Sequence, residues 1–161
     1  MLRHARTEEG FAVGTAIHLV DTVLCLMGRP QRVEARHERA AAGTMLLDAA
    51  LTFPGGASAR LFIAPQCGAD EETYEVIGPD YCVQADFRAA RVHVSDGGEE
   101  AAAWSAPADA EAVWRDGSFG EAESFLAALK GEREFAPGLE DGVIDMLVAE
   151  AMEDGAARDL A

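Results

Sequence analysis

Basic residues are scarce in this sequence, and lysine is almost missing. The 161 residues include 13 Lys and Arg against 29 Asp and Glu, and Lys130 is the only lysine. The resulting net charge of −16 repels the phosphates of nucleic acids and of anionic lipids. No stretch gathers enough Lys or Arg to overcome that repulsion, so we expect neither a nucleic-acid partner nor a membrane partner.

Cysteines and long apolar runs are also scarce. The three cysteines, Cys25, Cys67 and Cys82, are odd in number and far apart, which is typical of cytosolic thiols rather than of a disulfide framework or a zinc site. No run reaches the roughly 18 apolar residues that span a membrane. The N-terminus lacks the apolar core of a signal peptide. We therefore expect a cytoplasmic protein without a metal site, since its histidines are equally scattered: His4, His18, His37 and His93.

The glycine-rich loops that bind nucleotides are missing as well. The sequence contains neither GxGxxG after a strand nor GxxxxGK[ST], and it has no GxSxG around a nucleophilic serine. Pairs such as Gly55-Gly56 and Gly97-Gly98 are typical of hairpin turns. We therefore expect this chain alone to bind no nicotinamide dinucleotide.

Alternating residues and three helical segments predict the fold class. Apolar and polar residues alternate in about six runs between residues 32 and 95, with turns at Pro54-Gly55-Gly56 and Gly78-Pro79-Asp80. The pattern predicts a two-layer α+β fold: an open-faced, mostly antiparallel sheet of about six strands, backed on one side by about three helices. Residues 1–161 are predicted to form a single domain, and the segment 99–117 is either an edge strand or an irregular loop.

Two of the helices lie near the end of the sequence. One begins at Ser118, which has capping-box spacing with Glu121, and the other follows Pro137-Gly138 and ends near Gly155. Helical spacing predicts that both present apolar residues to the core: Ala122, Phe125, Leu126 and Leu129 in the first, and Ile144, Leu147, Val148, Ala151 and Met152 in the second.

The most informative helix runs from Gly14 to Gly28. It is apolar almost all round, which predicts an interior position, except for one face that holds His18, Asp21, Thr22 and Cys25 at i, i+3, i+4 and i+7. His18 is either a core histidine with satisfied nitrogens or part of a site. Asp21 can accept a hydrogen bond from one imidazole nitrogen and leave the other for a substrate.

The order of several motifs resembles the C-terminal domain of the Gfo/Idh/MocA oxidoreductase family, which includes glucose-fructose oxidoreductase and inositol dehydrogenase. The resemblance covers about residues 10 to 155. Its motifs are the Gly-x-x-Ile-His-Leu-x-Asp helix, the hairpin Leu51–Ala57, the strand Tyr74–Gly78, the run Phe125–Leu129 and the helix start Glu140–Val143.

The resemblance implies a substrate-binding and oligomerisation domain of an NAD(P)-dependent sugar or polyol dehydrogenase. Family members pair this domain with an N-terminal Rossmann domain that binds NAD(P) and a Glu-Lys-Pro segment, neither of which lies in these 161 residues. His18 matches the histidine that assists proton transfer, and His18, Asp21 and Gly14 are the implied substrate-binding residues. Many members have an aspartate where this chain has Gly14.

Two functions remain open from the sequence. The chain is either the substrate domain of such an enzyme, working with a Rossmann domain in cis or in trans, or a stand-alone, non-catalytic binding or dimerisation module. In both cases the resemblance implies a homo-oligomer that pairs through the exposed sheet face. That face is expected to carry long charged side chains: Arg32, Glu34, Arg36, Glu38, Arg60, Arg91 and His93.

Overall fold

A computed structural model describes residues 10–39, 45–107, 118–134 and 136–160. The described residues up to Cys67, together with those from Pro137 onward, form one compact unit, and those from Gly68 to Ala136 form a second. Gly43, where the alternation of apolar and polar residues in the sequence breaks, lies outside the described residues.

The first unit contains two helices and four strands. A π-helical turn, Ala12–Ala16, leads into α1, Ile17–Met27. Three strands follow: β1 (Arg32–Arg39), β2 (Met45–Thr52) and β3 (Ser58–Ile63). A short 3₁₀ turn at Pro54–Gly56 connects β2 to β3. Two elements that follow the second unit in sequence complete the first unit. They are the third described helix, α3 (Leu139–Asp154), and the eighth described strand, β8 (Ala157–Asp159).

These four strands form an antiparallel sheet in the order β3-β2-β1-β8. Val33 pairs with Leu51 and Ala49 pairs with Leu61, so residues that alternate in sequence reach the same face. That face is buried and the opposite face is exposed and charged. The inner face contributes much of the core of this unit: Val33, Ala35, Met45, Leu47, Ala49, Leu51, Leu61 and Ile63.

Helix α3 covers the buried face of this sheet. Val148 and Met152 are completely buried, and the helix packs against β1 and against α1. The backbone N–H of Gly138 donates to Asp141 Oδ2 (2.7 Å), which satisfies one of the amides at the start of the helix. The helix ends at Gly155, whose left-handed backbone (φ 60°) turns the chain into β8.

The second unit is an antiparallel sheet of four strands and one helix. The strands are β4, Thr73–Ile77, β5, Tyr81–Asp86, β6, Arg91–Asp96, and β7, Glu99–Ser105, and they pair in that order. The helix α2 spans Ser118–Leu129. Among the described residues of this unit, none is fully buried.

The α+β class, the antiparallel pairing and the three helices are confirmed. The strands, however, form two sheets of four rather than one sheet of about six, because a polar segment separates Ile63 from Thr73 and the two sets of strands pair only among themselves. Part of the undecided segment 99–117 is the edge strand β7, whereas 108–117 lies outside the described residues. Strand β8 was not predicted, because three residues are too few to show an alternation of apolar and polar side chains.

Three finer expectations were wrong. Helix α1 is not an interior helix, because Val20 is its only fully buried residue. The apolar residues of α2 are exposed, with Phe125, Leu126 and Leu129 each about half or more accessible. The predicted charged face is also divided, since Arg91 and His93 belong to β6 in the second sheet and not to the sheet of Arg32. No described helix combines the length and the apolar composition that crossing a membrane requires.

The packing of α3 generates a stability prediction. Met152 is fully buried whereas Leu139, on the same helix, is 87% exposed. Met152→Ala should lower the free energy of unfolding by about 2–5 kcal/mol because it leaves a cavity, and Leu139→Ala should change it by less than about 0.5 kcal/mol. Denaturant unfolding measures both, and equal effects of the two variants would contradict the burial of α3.

Candidate functional site

His18 lies at the start of α1, directly after the π-helical turn Ala12–Ala16. A π-helical turn widens the helix, changes the directions of the side chains that follow it and is frequent at functional sites. The direction of the His18 side chain therefore depends on how this turn is held.

The environment of His18 differs from that of a core histidine. Its side chain is exposed, and none of the residues that the structure describes forms a hydrogen bond or an ion pair with its imidazole. Only its backbone carbonyl is engaged, as the acceptor for Thr22 Oγ1 (2.9 Å). No described residue therefore engages either ring nitrogen, and because the side chain is exposed the core alternative for His18 is wrong.

Asp21 has a partner other than the one the sequence pattern suggests. It makes no hydrogen bond with His18 among the described residues. Its carboxyl group instead hydrogen-bonds with that of Asp145 on α3. Two carboxyl groups can share such a bond only when one of them is protonated, so this contact between α1 and α3 forms when Asp145 is protonated and is lost as Asp145 ionises above about pH 6.

Asp145 is the buried member of that pair. It is 6% exposed, lies on the core side of α3 and is the only buried charged or polar residue among the described ones. Burial, followed by the negative charges of Asp21 and Asp141, raises the pKa of Asp145 to about 6. No sequence motif singled out Asp145, although its spacing of three, four and seven to Val148, Ala149 and Met152 places an acid on an apolar helix face.

Gly14 is exposed within the π-helical turn. A Cβ atom built on it would meet no atom of the described residues within 4 Å. Among the described residues the position therefore has room for a side chain or a ligand. The sequence-predicted residues Gly14, His18 and Asp21 thus lie along one helical segment, and the structure adds Asp145 beside Asp21.

A second residue of α3 reaches the start of this segment. Glu153 accepts hydrogen bonds from the backbone N–H of Gly10 at Oε1 (3.1 Å) and from that of Ala12 at Oε2 (2.9 Å). No sequence signal indicates this contact, because more than 140 residues separate the partners.

The other two described histidines, His37 on β1 and His93 on β6, each contact a residue of the unit to which they belong. His37 Nδ1 hydrogen-bonds to the carbonyl of Glu153 (2.7 Å), and His93 Nδ1 lies 3.2 Å from Glu100 Oε2. Within the described ranges, no three His, Cys, Asp or Glu side chains gather to hold a metal ion.

The described residues do not fit a dinucleotide-binding site. Such sites form where a parallel strand leads through a glycine-rich turn into a helix, and both described sheets are antiparallel throughout.

Comparison with known proteins defines the class to which this fold belongs. Residues 3–157 match the family described as "Oxidoreductase family, C-terminal alpha/beta domain". The chain belongs to the Gfo/Idh/MocA oxidoreductase family and corresponds to its C-terminal domain. No curated protein matches the sequence.

Several solved structures share the fold. A dehydrogenase from Chromobacterium violaceum is 19% identical (TM-score 0.78), over 91% of this chain and 45% of that one. UDP-N-acetylglucosamine 3-dehydrogenase from Acidithiobacillus ferrooxidans is 18% identical (TM-score 0.76), over 95% and 49%. An oxidoreductase from Agrobacterium radiobacter, solved with NAD⁺, L-tartaric acid and magnesium, is 14% identical (TM-score 0.72), over 90% and 47%. This chain therefore spans about half the length of these proteins.

The carboxyl pair generates a pH prediction. Because the pKa of Asp145 is raised from 3.8 to about 6, the folded protein binds this proton more tightly than the unfolded chain does. The free energy of unfolding should therefore fall by about 3 kcal/mol as pH rises from about 4 to above 6. Asp145→Asn should remove this dependence and be more stable than the wild type at pH 8.

Chemical denaturation between pH 4 and pH 8 measures the effect, with Glu140→Gln as a control because Glu140 is exposed in the first turn of the same helix. The wild-type slope should persist in the control. A slope that Asp145→Asn leaves unchanged would show that Asp145 does not hold the proton.

Proposed function

We propose that this chain is the substrate-binding and oligomerisation domain of an NAD(P)-dependent sugar or polyol oxidoreductase. Membership of the oxidoreductase family and the likeness to dehydrogenases support the reaction class. The Rossmann domain that completes the enzyme would work with this chain in cis or in trans. The substrate class is taken from the family resemblance and from a sugar-nucleotide dehydrogenase among the structural neighbours.

The observation that carries the proposal is the exposure of the His18 imidazole and its lack of hydrogen-bond partners among the described residues. His18 also follows a π-helical turn. An imidazole whose two nitrogens have no partner among the described residues can both donate and accept a proton, which suits it to general acid–base work. We assign to His18 the exchange of a proton with the hydroxyl group of the substrate.

The bound nicotinamide would supply the hydride chemistry, whereas this chain binds and orients the substrate. Gly14 leaves space beside His18 for that substrate, since no atom of the described residues lies within 4 Å of the position of a Cβ atom there. Asp21 is half-buried and lies one helical turn from His18, where its oxygen atoms can accept from a sugar hydroxyl.

The exposed face of the β3-β2-β1-β8 sheet is the proposed oligomer interface. Arg60 pairs with Asp48 through two hydrogen bonds (2.8 and 2.7 Å), and Arg32 bridges Glu34 and Asp159. Beside these pairs Phe62 is 65% exposed. A face of mixed charge with an exposed aromatic ring is able to complement a second copy of itself about a two-fold axis.

Gly14 also favours the second candidate, a non-catalytic binding or dimerisation module. The residue replaces an aspartate that many relatives have four positions before the histidine, and its loss removes one partner from the proton transfer. The two candidates differ in whether His18 affects turnover.

For the first candidate we predict the effect of removing the His18 imidazole. In the enzyme that combines this chain with its Rossmann domain, His18→Ala should lower kcat by about 10²- to 10⁴-fold, the usual contribution of a positioned acid or base. The affinity for NAD(P) should stay nearly unchanged, and His18→Asn should recover part of the loss if hydrogen bonding matters more than proton transfer. Steady-state assays of NAD(P)H formation on a panel of sugars and polyols measure these effects.

Cys25→Ala is a suitable control, because Cys25 is exposed on the same helix face, two turns after His18, and has no described contact with His18. A folded His18→Ala enzyme that works within about threefold of the wild type would refute the role of His18 and favour the non-catalytic module.

For the assembly we predict a dimer or larger oligomer at micromolar concentration. Phe62→Glu places an unpaired charge in the centre of the proposed interface and should yield monomers with little change in thermal stability. Light scattering measures the molar mass. Leu26→Glu is the control, because Leu26 is exposed on α1, and a wild-type monomer at low and high salt would contradict the proposal.

A further inference from the structure

The amides that open the helical segment before His18 need acceptors from elsewhere in the protein. The first backbone N–H groups of a helix have no partner within the helix. Phe11, at the N-cap position, provides no side-chain hydrogen bond. Glu153 supplies both acceptors instead, through Oε1 to Gly10 and Oε2 to Ala12. A carboxylate at this end of a helix is also stabilised by the helix dipole.

Glu153 is itself held firmly against the sheet. Its backbone carbonyl accepts a hydrogen bond from Nδ1 of His37 on β1 (2.7 Å). Two residues later, the left-handed Gly155 passes so close to β1 that an added Cβ would lie 2.9 Å from the backbone nitrogen of His37. The N–H of Ala35 then donates to the carbonyl of Ala156 (3.0 Å). The position of Glu153 is therefore set by β1 rather than by the helix that it caps.

Two contacts from α3 thus flank His18. Glu153 holds the segment six and eight residues before it, and Asp145 faces Asp21 three residues after it. Between these contacts lies the π-helical turn Ala12–Ala16, whose register fixes the direction of the His18 side chain.

We propose that Glu153 is a positioning residue for His18: its carboxylate fixes Gly10 and Ala12, where the chain enters the π-helical turn Ala12–Ala16, and thereby the placement of the imidazole. This inference rests on the proposed function of His18. It predicts that loss of the carboxylate loosens residues 10–18 and lowers turnover, while cofactor binding and the rest of the fold are unaffected.

The test compares Glu153→Ala, Glu153→Gln and Glu150→Ala. Glu150 is the matched control, because it lies one turn earlier on α3 and pairs with Arg158 at the surface (3.0 Å). Hydrogen–deuterium exchange of the full chain reports on residues 10–18, and we expect Glu153→Ala to accelerate exchange there by at least about tenfold. Glu150→Ala should leave that exchange unchanged.

Turnover of the intact enzyme separates positioning from a merely structural role. Glu153→Ala should lower kcat by about tenfold or more with an unchanged KM for NAD(P), because a displacement of about 1 Å is costly to catalysis. Glu153→Gln should recover part of the loss, since its amide oxygen can still accept from one of the two N–H groups.

The proposal is overturned if Glu153→Ala leaves the exchange of residues 10–18 unchanged, or if it loosens them with no loss of kcat in an enzyme that depends on His18. His18→Ala, measured beside these variants, keeps the two hypotheses apart. If that variant retains wild-type turnover, the proposed function fails, whereas the exchange experiment still decides whether Glu153 holds the segment.

Discussion

The packing of α3 across β1 is the interaction on which the first unit depends. Its buried residues Val148 and Met152 belong to the same hydrophobic core as the inner face of the sheet. The same helix places Asp145 against Asp21, and it places Glu153 where its carboxylate accepts hydrogen bonds from the backbone amides of Gly10 and Ala12. Burial of apolar surface supplies the driving force of this packing, and the polar contacts then fix where α1 lies, so core and candidate site share one element.

Local patterns predicted much of this architecture. The alternation in β1 and β2, the turn at Pro54–Gly56 and the end of α3 at Gly155 each depend on neighbouring residues only, and each is present in the structure. The division into two sheets depends on which strands pair at long range, and alternation carries no information about partners. The short β8 is likewise defined by its pairing with β1 and not by its own three residues.

The candidate site was predictable to a similar extent. The family motif indicated His18, Asp21 and Gly14, and helical spacing indicated that His18 and Asp21 share a face. The partners of this segment were not predictable, because Asp145 and Glu153 lie more than 120 residues away and reach it only through the packing of α3. Charge patterning could have singled out Asp145, since an acid on an apolar face needs a partner or a proton. Glu153 carries no comparable signal.

The central claim is that His18 contacts the reacting part of a substrate. A crystal structure of the intact enzyme with NAD(P) and a bound sugar or polyol tests this most directly. The account predicts one imidazole nitrogen within about 2.6–3.2 Å of the hydroxyl on the carbon that faces the nicotinamide. An imidazole that points away from the substrate, with other groups contacting that hydroxyl, would contradict it.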